Sequence, residues 1–376
     1  MNDRQDGRAA DDSSSLAALI RREIVAAGGW LGFDRFMALA LYAPGLGYYS
    51  GARRKFGLMP ASGSDFVTAP ELSPLFGQAL AAQLAQALEA TGTDEIIEFG
   101  AGSGALAEQL LQTLGERVRR YRIVDLSGSL RARQAERLAA WADKLEWLDA
   151  LPGKFSGVVV GNEVLDAMPV QLIHFDGERW LERGVVVGDD GLSFAFADRP
   201  SMLRPPLETD GDAAHFPPGS VTELHAQAEA FVRTLAAQLE RGAVFLIDYG
   251  FPEAEYYHPQ RIGGTLMCHH LHKADPDPLV LVGEKDITAH VNFSGIALAG
   301  QEAGLTVLGY ASQANFLLNC GIAELMGQAE LPARAMAHKL IQEHEMGELF
   351  KVIGFVTAGC EFDALGFVRG DRSHML

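Results

Sequence analysis

Hydrophobic positions change rhythm several times along this chain. Over residues 16–43 they recur at helical spacing, broken at Gly28-Gly29, and residues 71–90 read as one Ala/Leu-rich helix. Between these segments Pro44-Gly45-Leu46-Gly47-Tyr48-Tyr49 and Gly63-Ser64-Asp65-Phe66 read as loops. Residues 16–90 are therefore expected to form a helical N-terminal cover, behind a polar, Ser/Asp-rich leader at 1–15 expected to be disordered. From Asp94 onward short apolar strands alternate with helices. The strands are predicted at 96–99, 121–125, 157–160, 244–248, 305–312 and 350–357, and the helices at 105–114, 129–141, 221–240 and, for the most part, 323–345. Wholly apolar runs such as Val158-Val159-Val160 suit strands buried on both faces, as in a parallel sheet. The fold predicted for residues 91–376 is an α/β, doubly wound, Rossmann-like sheet. Two insertions interrupt it. Residues 171–200 alternate apolar and polar around Asp176-Gly177 and Asp190-Gly191, the pattern of antiparallel hairpins, within an insertion of about 171–220. Residues 252–298, rich in Pro, His, Gly and Asp, read as a structured excursion near the active site.

Charge narrows the choice of partner. With 31 basic and 49 acidic residues the formal net charge is −18. Nucleic-acid phosphates and anionic lipid are disfavoured, whereas a cationic ligand or a basic protein segment fits. The three cysteines, Cys268, Cys320 and Cys360, imply no disulfide framework and suit a reducing compartment. The acidic start lacks the apolar stretch of a secretory signal, and no apolar run is long enough to span a bilayer. A cytoplasmic protein is expected, without membrane insertion; a homodimer is compatible with these features.

The first candidate for chemistry is the turn Glu98-Phe99-Gly100-Ala101-Gly102-Ser103-Gly104 after the strand at 96–99. Glycines at 100, 102 and 104 let a ligand approach the backbone where Cβ atoms would block it. The spacing is G-x-G-x-G, not the G-x-G-x-x-G of dinucleotide binding. Asp125 ends the next strand, where a carboxylate accepts both ribose hydroxyl hydrogens of an adenosine. Glu98 adds negative charge near a ligand bearing a sulfonium and an ammonium. S-adenosylmethionine, which has no pyrophosphate, fits this set better than NAD does. The alternative is a glycine turn that only tightens strand–helix packing.

A second cluster follows the strand at 157–160: Gly161-Asn162-Glu163-Val164-Leu165-Asp166. Ligands of open α/β sheets sit beyond the carboxyl ends of the strands, which puts Asn162, Glu163 and Asp166 beside the reaction region. Glu163, with Asp166, is a candidate to hold a cationic group, and a guanidinium matches a carboxylate through two N–H donors. The alternative is an N-cap, with Asn162 capping a short turn and Asp166 solvated. Cys268-His269-His270-Leu271-His272, with His290, invites a metal, but the run matches none of the usual zinc spacings, and no metal is expected. His272 is a candidate for orienting the substrate or accepting a proton; a structural histidine is the competing reading. Asp286, Thr288 and His290 are read as a hydrogen-bonded knot holding the excursion in place.

These residues resemble the MidA family of methyltransferases, bacterial and mitochondrial proteins related to a complex I assembly factor that methylates a protein arginine. The resemblance runs from about Phe36 to Phe355. It rests on Tyr42, Gly47-Tyr48-Tyr49, Thr68-Ala69-Pro70-Glu71, the glycine turn, Asn162-Glu163-Val164-Leu165-Asp166-Ala167-Met168-Pro169, Asp248-Tyr249-Gly250 and Asp286-Ile287-Thr288-Ala289-His290. It implies a class I methyltransferase sheet and S-adenosylmethionine as cofactor. It also implies that Thr68, Pro70 and Glu71 close over the cofactor, and that the partner is a protein with an exposed arginine, in a subunit of the respiratory complex I type. From the residues alone, Glu71 is equally an ordinary acid of a first helical turn. The chain departs from the family at Ala101, commonly proline, at Ser103, often arginine, and at Asp125, more usually glutamate. Ser64 is inserted into a Gly-Asp-Phe, and Asn292 replaces an aspartate. A small-molecule methyltransferase and a cofactor-binding assembly chaperone with little turnover are the alternatives.

Overall fold

The computed structural model describes residues 16–51, 67–125, 127–207, 209 and 211–376. The expected leader, 1–15, and the loop Gly63-Ser64-Asp65-Phe66 lie outside them. The chain enters through α1 (16–26), β1 (Leu31–Gly32), α2 (Phe33–Tyr42), α3 (Ala69–Leu72) and α4 (Leu75–Thr91). Next come β2 (Glu95–Phe99), α5 (Ala105–Leu114), β3 (Arg120–Val124), α6 (Gly128–Arg137), β4 (Leu145–Leu148) and β5 (Phe155–Asn162). The strands β6 (Gln171–Phe175), β7 (Trp180–Val187) and β8 (Phe194–Pro200), the short α7 (Asp212–His215) and β9 (Val221–Leu224) follow. After α8 (Ala226–Gln238) and β10 (Leu239–Phe251) come α9 (Glu253–Tyr256), β11 (Met267–His270), β12 (Lys273–Asp275), β13 (Asp286–Thr288), β14 (Val291–Asn292) and α10 (Phe293–Glu302). The chain finishes with β15 (Leu305–Ser312), α11 (Gln313–Asn319), α12 (Ile322–Gln328), α13 (Leu331–Ile341) and β16 (Phe350–Thr357).

The central sheet has the order β4-β3-β2-β5-β10-β16-β15, in which only β16 runs antiparallel to its neighbours. Counted along this sheet the order is 3-2-1-4-5-7-6, the class I methyltransferase arrangement that was expected. Its apolar strands serve two faces at once. Ile96, Val158 and Val160 pack toward α4 and α5, whereas Ile97 and Val159 pack toward α8 and α10. Strand order reverses between β2 and β5, so a crevice opens beyond their carboxyl ends. The glycine turn and the Asn162–Asp166 segment both leave the sheet there.

The antiparallel hairpins predicted at 171–200 form a second sheet, β1-β7-β6-β9 with β8 on β7, and do not extend the first. Leu16, Ile20, Ile24 and Phe36 pack against Leu172 and Val185 of this sheet and against Cys268 and Ile287 of the excursion. The excursion's own strands pair as β12-β11-β13.

Several elements differ from expectation. Residues 221–224 are a strand pairing with β6, and the helix begins only at Ala226. The helix expected at 71–90 breaks at the extended Ser73, before Pro74, into α3 and α4. Its longer part, α4, packs on the central sheet with Leu80 and Leu84 at 0% exposure. Strand β4 was not anticipated; it lies at the sheet edge and carries the mixed sequence Leu145-Glu146-Trp147-Leu148.

Candidate active site

A cavity of about 820 Å³ occupies the crevice. That volume lies within the range of small-ligand and cofactor sites. One end is built by the turn after β2. Gly100, Gly102 and Gly104 have φ of +66°, +54° and +83°, a conformation that side-chain-bearing residues rarely adopt. A Cβ on Gly100 would also meet Val164 Cγ2 at 3.0 Å. The turn is thus a backbone surface pressed between two loops, able to accept a ligand closely. Asp125 follows β3 on the same wall. Its Oδ1 accepts the Ser127 N–H at 2.8 Å and its Oδ2 the Gln134 amide at 2.8 Å. Glu98 is 2% exposed and accepts the Tyr121 hydroxyl at 2.7 Å. Burial pushes its carboxyl up to about 8, with the Asp125 charge adding to the shift and the Tyr121 bond opposing it.

Residues 67–72 close this end from the N-terminal side. Thr68, Pro70 and Glu71 all line the cavity. Glu71 accepts the Ser103 hydroxyl, and Arg137 reaches both, at 3.5 Å from Glu71 and 2.8 Å from Ser103. Glu71 is therefore tied across to the glycine turn, a partner that the helix-acid reading did not provide.

The other end is acidic and aromatic. Asn162, Glu163 and Asp166 line it. Asp248, at the end of β10, holds their loop in shape: its Oδ2 accepts the N–H groups of Val164, Leu165 and Asp166 at 3.1, 2.9 and 3.2 Å. The loop is sharp enough that Glu163 takes φ +53°, a conformation costly for a residue with a Cβ and typical of functional sites. Asn162 donates to Glu163 at 2.9 Å, and Asp166 accepts the Tyr249 hydroxyl at 2.7 Å. Burial, then the charge of Asp166, pushes Glu163 up to about 8. Burial likewise raises Asp166. Burial raises Asp248 too, helped by the Asp166 and Glu163 charges, while its amide donors pull it back. The second oxygen of Asp166 and the side-chain oxygen of Asn162 are buried with no partner among the described residues. Asn162 does not cap the turn that follows, since its side-chain oxygen accepts from no described group, and Asp166 is 5% exposed rather than solvated.

Residues distant in sequence complete this end. Tyr42, at the end of α2, and Tyr49 stack at 5.5 Å with an 18° interplanar angle. Tyr42 donates to the Ala167 carbonyl and Tyr49 to Asp286, each at 2.8 Å. His290 lies edge-on to Tyr249, with ring centroids 5.0 Å apart, and burial pushes it down to about 4, leaving it neutral. Asp286, Thr288 and His290 line the cavity wall, but the hydrogen bonds expected of a knot are not seen: Asp286 accepts from Tyr49, whereas Thr288 Oγ1 and His290 Nδ1 are buried without a partner among the described residues.

His272 does not. It is exposed in the turn between β11 and β12, at φ +60°, and is not among the residues lining the cavity. The excursion presents His269 and His290 to the cavity in its place, because the strand alternation of β11 and the register of β13 carry the hairpin tip outward. The expectation of a direct chemical role for His272 is corrected accordingly. Among the described residues, no group of three or more His, Cys, Asp or Glu is arranged to hold a metal, and no helix is long and apolar enough to cross a membrane.

A doubly wound sheet with its last strand antiparallel, a glycine turn at the switch point and a carboxylate after the next strand together define a class I S-adenosylmethionine-dependent methyltransferase. Comparison with known proteins gives the family. A family model described as "Putative S-adenosyl-L-methionine-dependent methyltransferase" matches residues 79–311, more than half of the chain, and the chain belongs to this MidA-like family. The mitochondrial protein arginine methyltransferase NDUFAF7 of Danio rerio is 27% identical, over 90% of this chain and 87% of its own length. The Drosophila melanogaster homolog of that name is also 27% identical, over 90% of this chain and 81% of its own. A crystal structure from Burkholderia thailandensis with S-adenosyl-homocysteine bound is 54% identical, with a TM-score of 0.92 over 98% of each chain. The chain is thus an S-adenosylmethionine-dependent methyltransferase, and S-adenosylmethionine is its cofactor.

Proposed function

We propose that the chain methylates an arginine guanidinium of a protein substrate, in a subunit of the respiratory complex I type. The observation that carries this reading is the acidic end of the cavity: Glu163 beside Asp166, whose second oxygen is buried without a partner. A buried acceptor left unsatisfied costs about 1–3 kcal/mol, so such an arrangement fits a ligand that brings donors. A guanidinium brings five in a planar fork, together with the charge that two carboxylates at one site call for. The names of the relatives, protein arginine methyltransferases, agree with it.

Gly100, Gly102 and Gly104 would hold the cofactor backbone-to-ligand, Asp125 its ribose, and Glu98 and Glu71 the rim of that end. Asn162, beside Glu163 in the cavity lining, is assigned to the cofactor. When bound, the cofactor supplies an electrophilic methyl on a sulfonium, leaving a neutral thioether. The remaining work falls to the protein: to place the acceptor nitrogen in line and to keep water out. Correct placement is worth on the order of 7 kcal/mol or more. Glu163 and Asp166 pair with the two nitrogens that do not react. Charge is drawn toward those nitrogens, and the attacking nitrogen becomes the better nucleophile. That nitrogen forms its bond to carbon and gives up one proton. The proton leaves once the bond to carbon has formed and the nitrogen has become strongly acidic, and Glu163, raised to about 8 by burial and the Asp166 charge, is suited to accept it.

The test is transfer of labelled methyl from S-adenosylmethionine into lysate proteins, with mass spectrometry of the modified residue. Label on arginine, lost in Glu163→Gln, is the expected result. Label only in small molecules, or on another side chain, overturns the reading.

A further inference from the structure

The proposed cofactor end depends on two elements that belong to different strands: the glycine turn after β2 and the acid after β3. One side chain spans them. Gln134 of α6 is fully buried, and its Nε2 donates both to the Gly102 carbonyl at 3.0 Å and to Asp125 Oδ2 at 2.8 Å. Its oxygen accepts the Trp147 indole N–H at 2.9 Å. An indole N–H can only donate, so it fixes which end of the amide faces the site. Both hydrogens of the amide nitrogen then have acceptors, and the arrangement cannot be inverted without setting oxygen against two oxygens. Meanwhile the Ser127 N–H holds the other oxygen of Asp125. The carboxylate is therefore fixed in plane and in distance from the turn.

We propose that Gln134, oriented by Trp147, is the positioning residue of the cofactor site. It sets the Asp125 carboxylate to receive the ribose hydroxyls and couples it to the glycine turn. The inference rests on the reading of Asp125 as the ribose acceptor. A relaxed Asp125 still offers negative charge, but it no longer presents both oxygens to a diol at a defined distance. The signature of the role is therefore loss of discrimination at the ribose, which a general loss of stability does not produce.

The experiment is calorimetric titration of the full chain with S-adenosyl-homocysteine and with its 2′-deoxy analogue. The native protein is expected to favour the parent ligand by about tenfold or more, the scale of one charge-assisted hydrogen bond. In Gln134→Leu the ratio is expected to fall to about threefold or less, with parent affinity down about tenfold. Trp147→Phe keeps the amide and removes only the group that orients it; the same ratio should fall part of the way, which keeps the test open where Gln134→Leu does not fold. Folded variants that both retain the native ratio overturn the proposal. A native protein that does not distinguish the two ligands overturns the reading of Asp125, and the proposal with it. The two failures are thereby told apart.

Discussion

Replacing Glu163 by glutamine keeps the length of the side chain and one carbonyl oxygen, and removes only the charge and the second acceptor. A hydrogen bond to a charged partner contributes about 1.5–3 kcal/mol, so kcat/KM for an arginine acceptor should fall about 10- to 150-fold. The pH dependence sharpens the prediction. In the free protein Glu163 sits at about 8, raised by burial and by the Asp166 charge. Only the ionised form pairs with a guanidinium, so below that pH binding requires loss of a proton, at about 1.4 kcal/mol for each pH unit. The native kcat/KM should therefore rise about tenfold from pH 7 to above pH 8 and then level off. Glu163→Gln has nothing to ionise at that position. Its profile loses this rise, and the ratio of native to variant widens as pH increases. The assay is initial-rate methyl transfer to the acceptor identified by labelling, from pH 6.5 to 9, with S-adenosyl-homocysteine affinity as the control for an intact cofactor end. Unchanged turnover, or a variant that keeps the native rise through pH 8, refutes the assignment.

Glu98 is predicted to make stability fall with alkaline pH. Its folded value of about 8 lies above the ordinary 4.5, so its contribution is full below pH 4.5 and is lost as pH rises through 8. Melting temperature should drop by a few degrees between pH 5.5 and 8.5, and by less in Glu98→Gln; parallel melting curves would remove this account. Gly100→Ala forces a Cβ into a φ of +66° and to within 3.0 Å of Val164, and should cost about 1–2 kcal/mol in chemical denaturation together with cofactor affinity. His272→Ala should leave methyl transfer within about twofold of native, because the side chain lies on an exposed hairpin turn and does not line the cavity; a large loss of rate would return His272 to the site.

What could be read from the sequence follows from how local each determinant is. The helix at 105–114 and the strands at 305–312 and 350–357 emerge with the bounds expected, since glycine ends, apolar runs and length all agree there. Residues 221–224 were absorbed into the following helix because a four-residue apolar-polar run carries no decisive period; its pairing with β6, some fifty residues earlier, makes it a strand. The same distinction governs the site. Gly100, Asp125 and Glu163 were visible because each lies where a strand ends, and the topology of an open sheet gathers such positions whatever else the chain does. Tyr49 and Asp286 are separated by 237 residues, and no spacing along the chain announces that they meet. His272 and His290 show the limit most plainly. Both lie in the same histidine-bearing excursion, and composition cannot choose between them. Pairing of β11 with β12 sends His272 out at the hairpin tip, whereas the β13–β14 segment turns His290 back against Tyr249. A residue's chemical type nominates it for a site, but the register of the strand that carries it decides whether it arrives there.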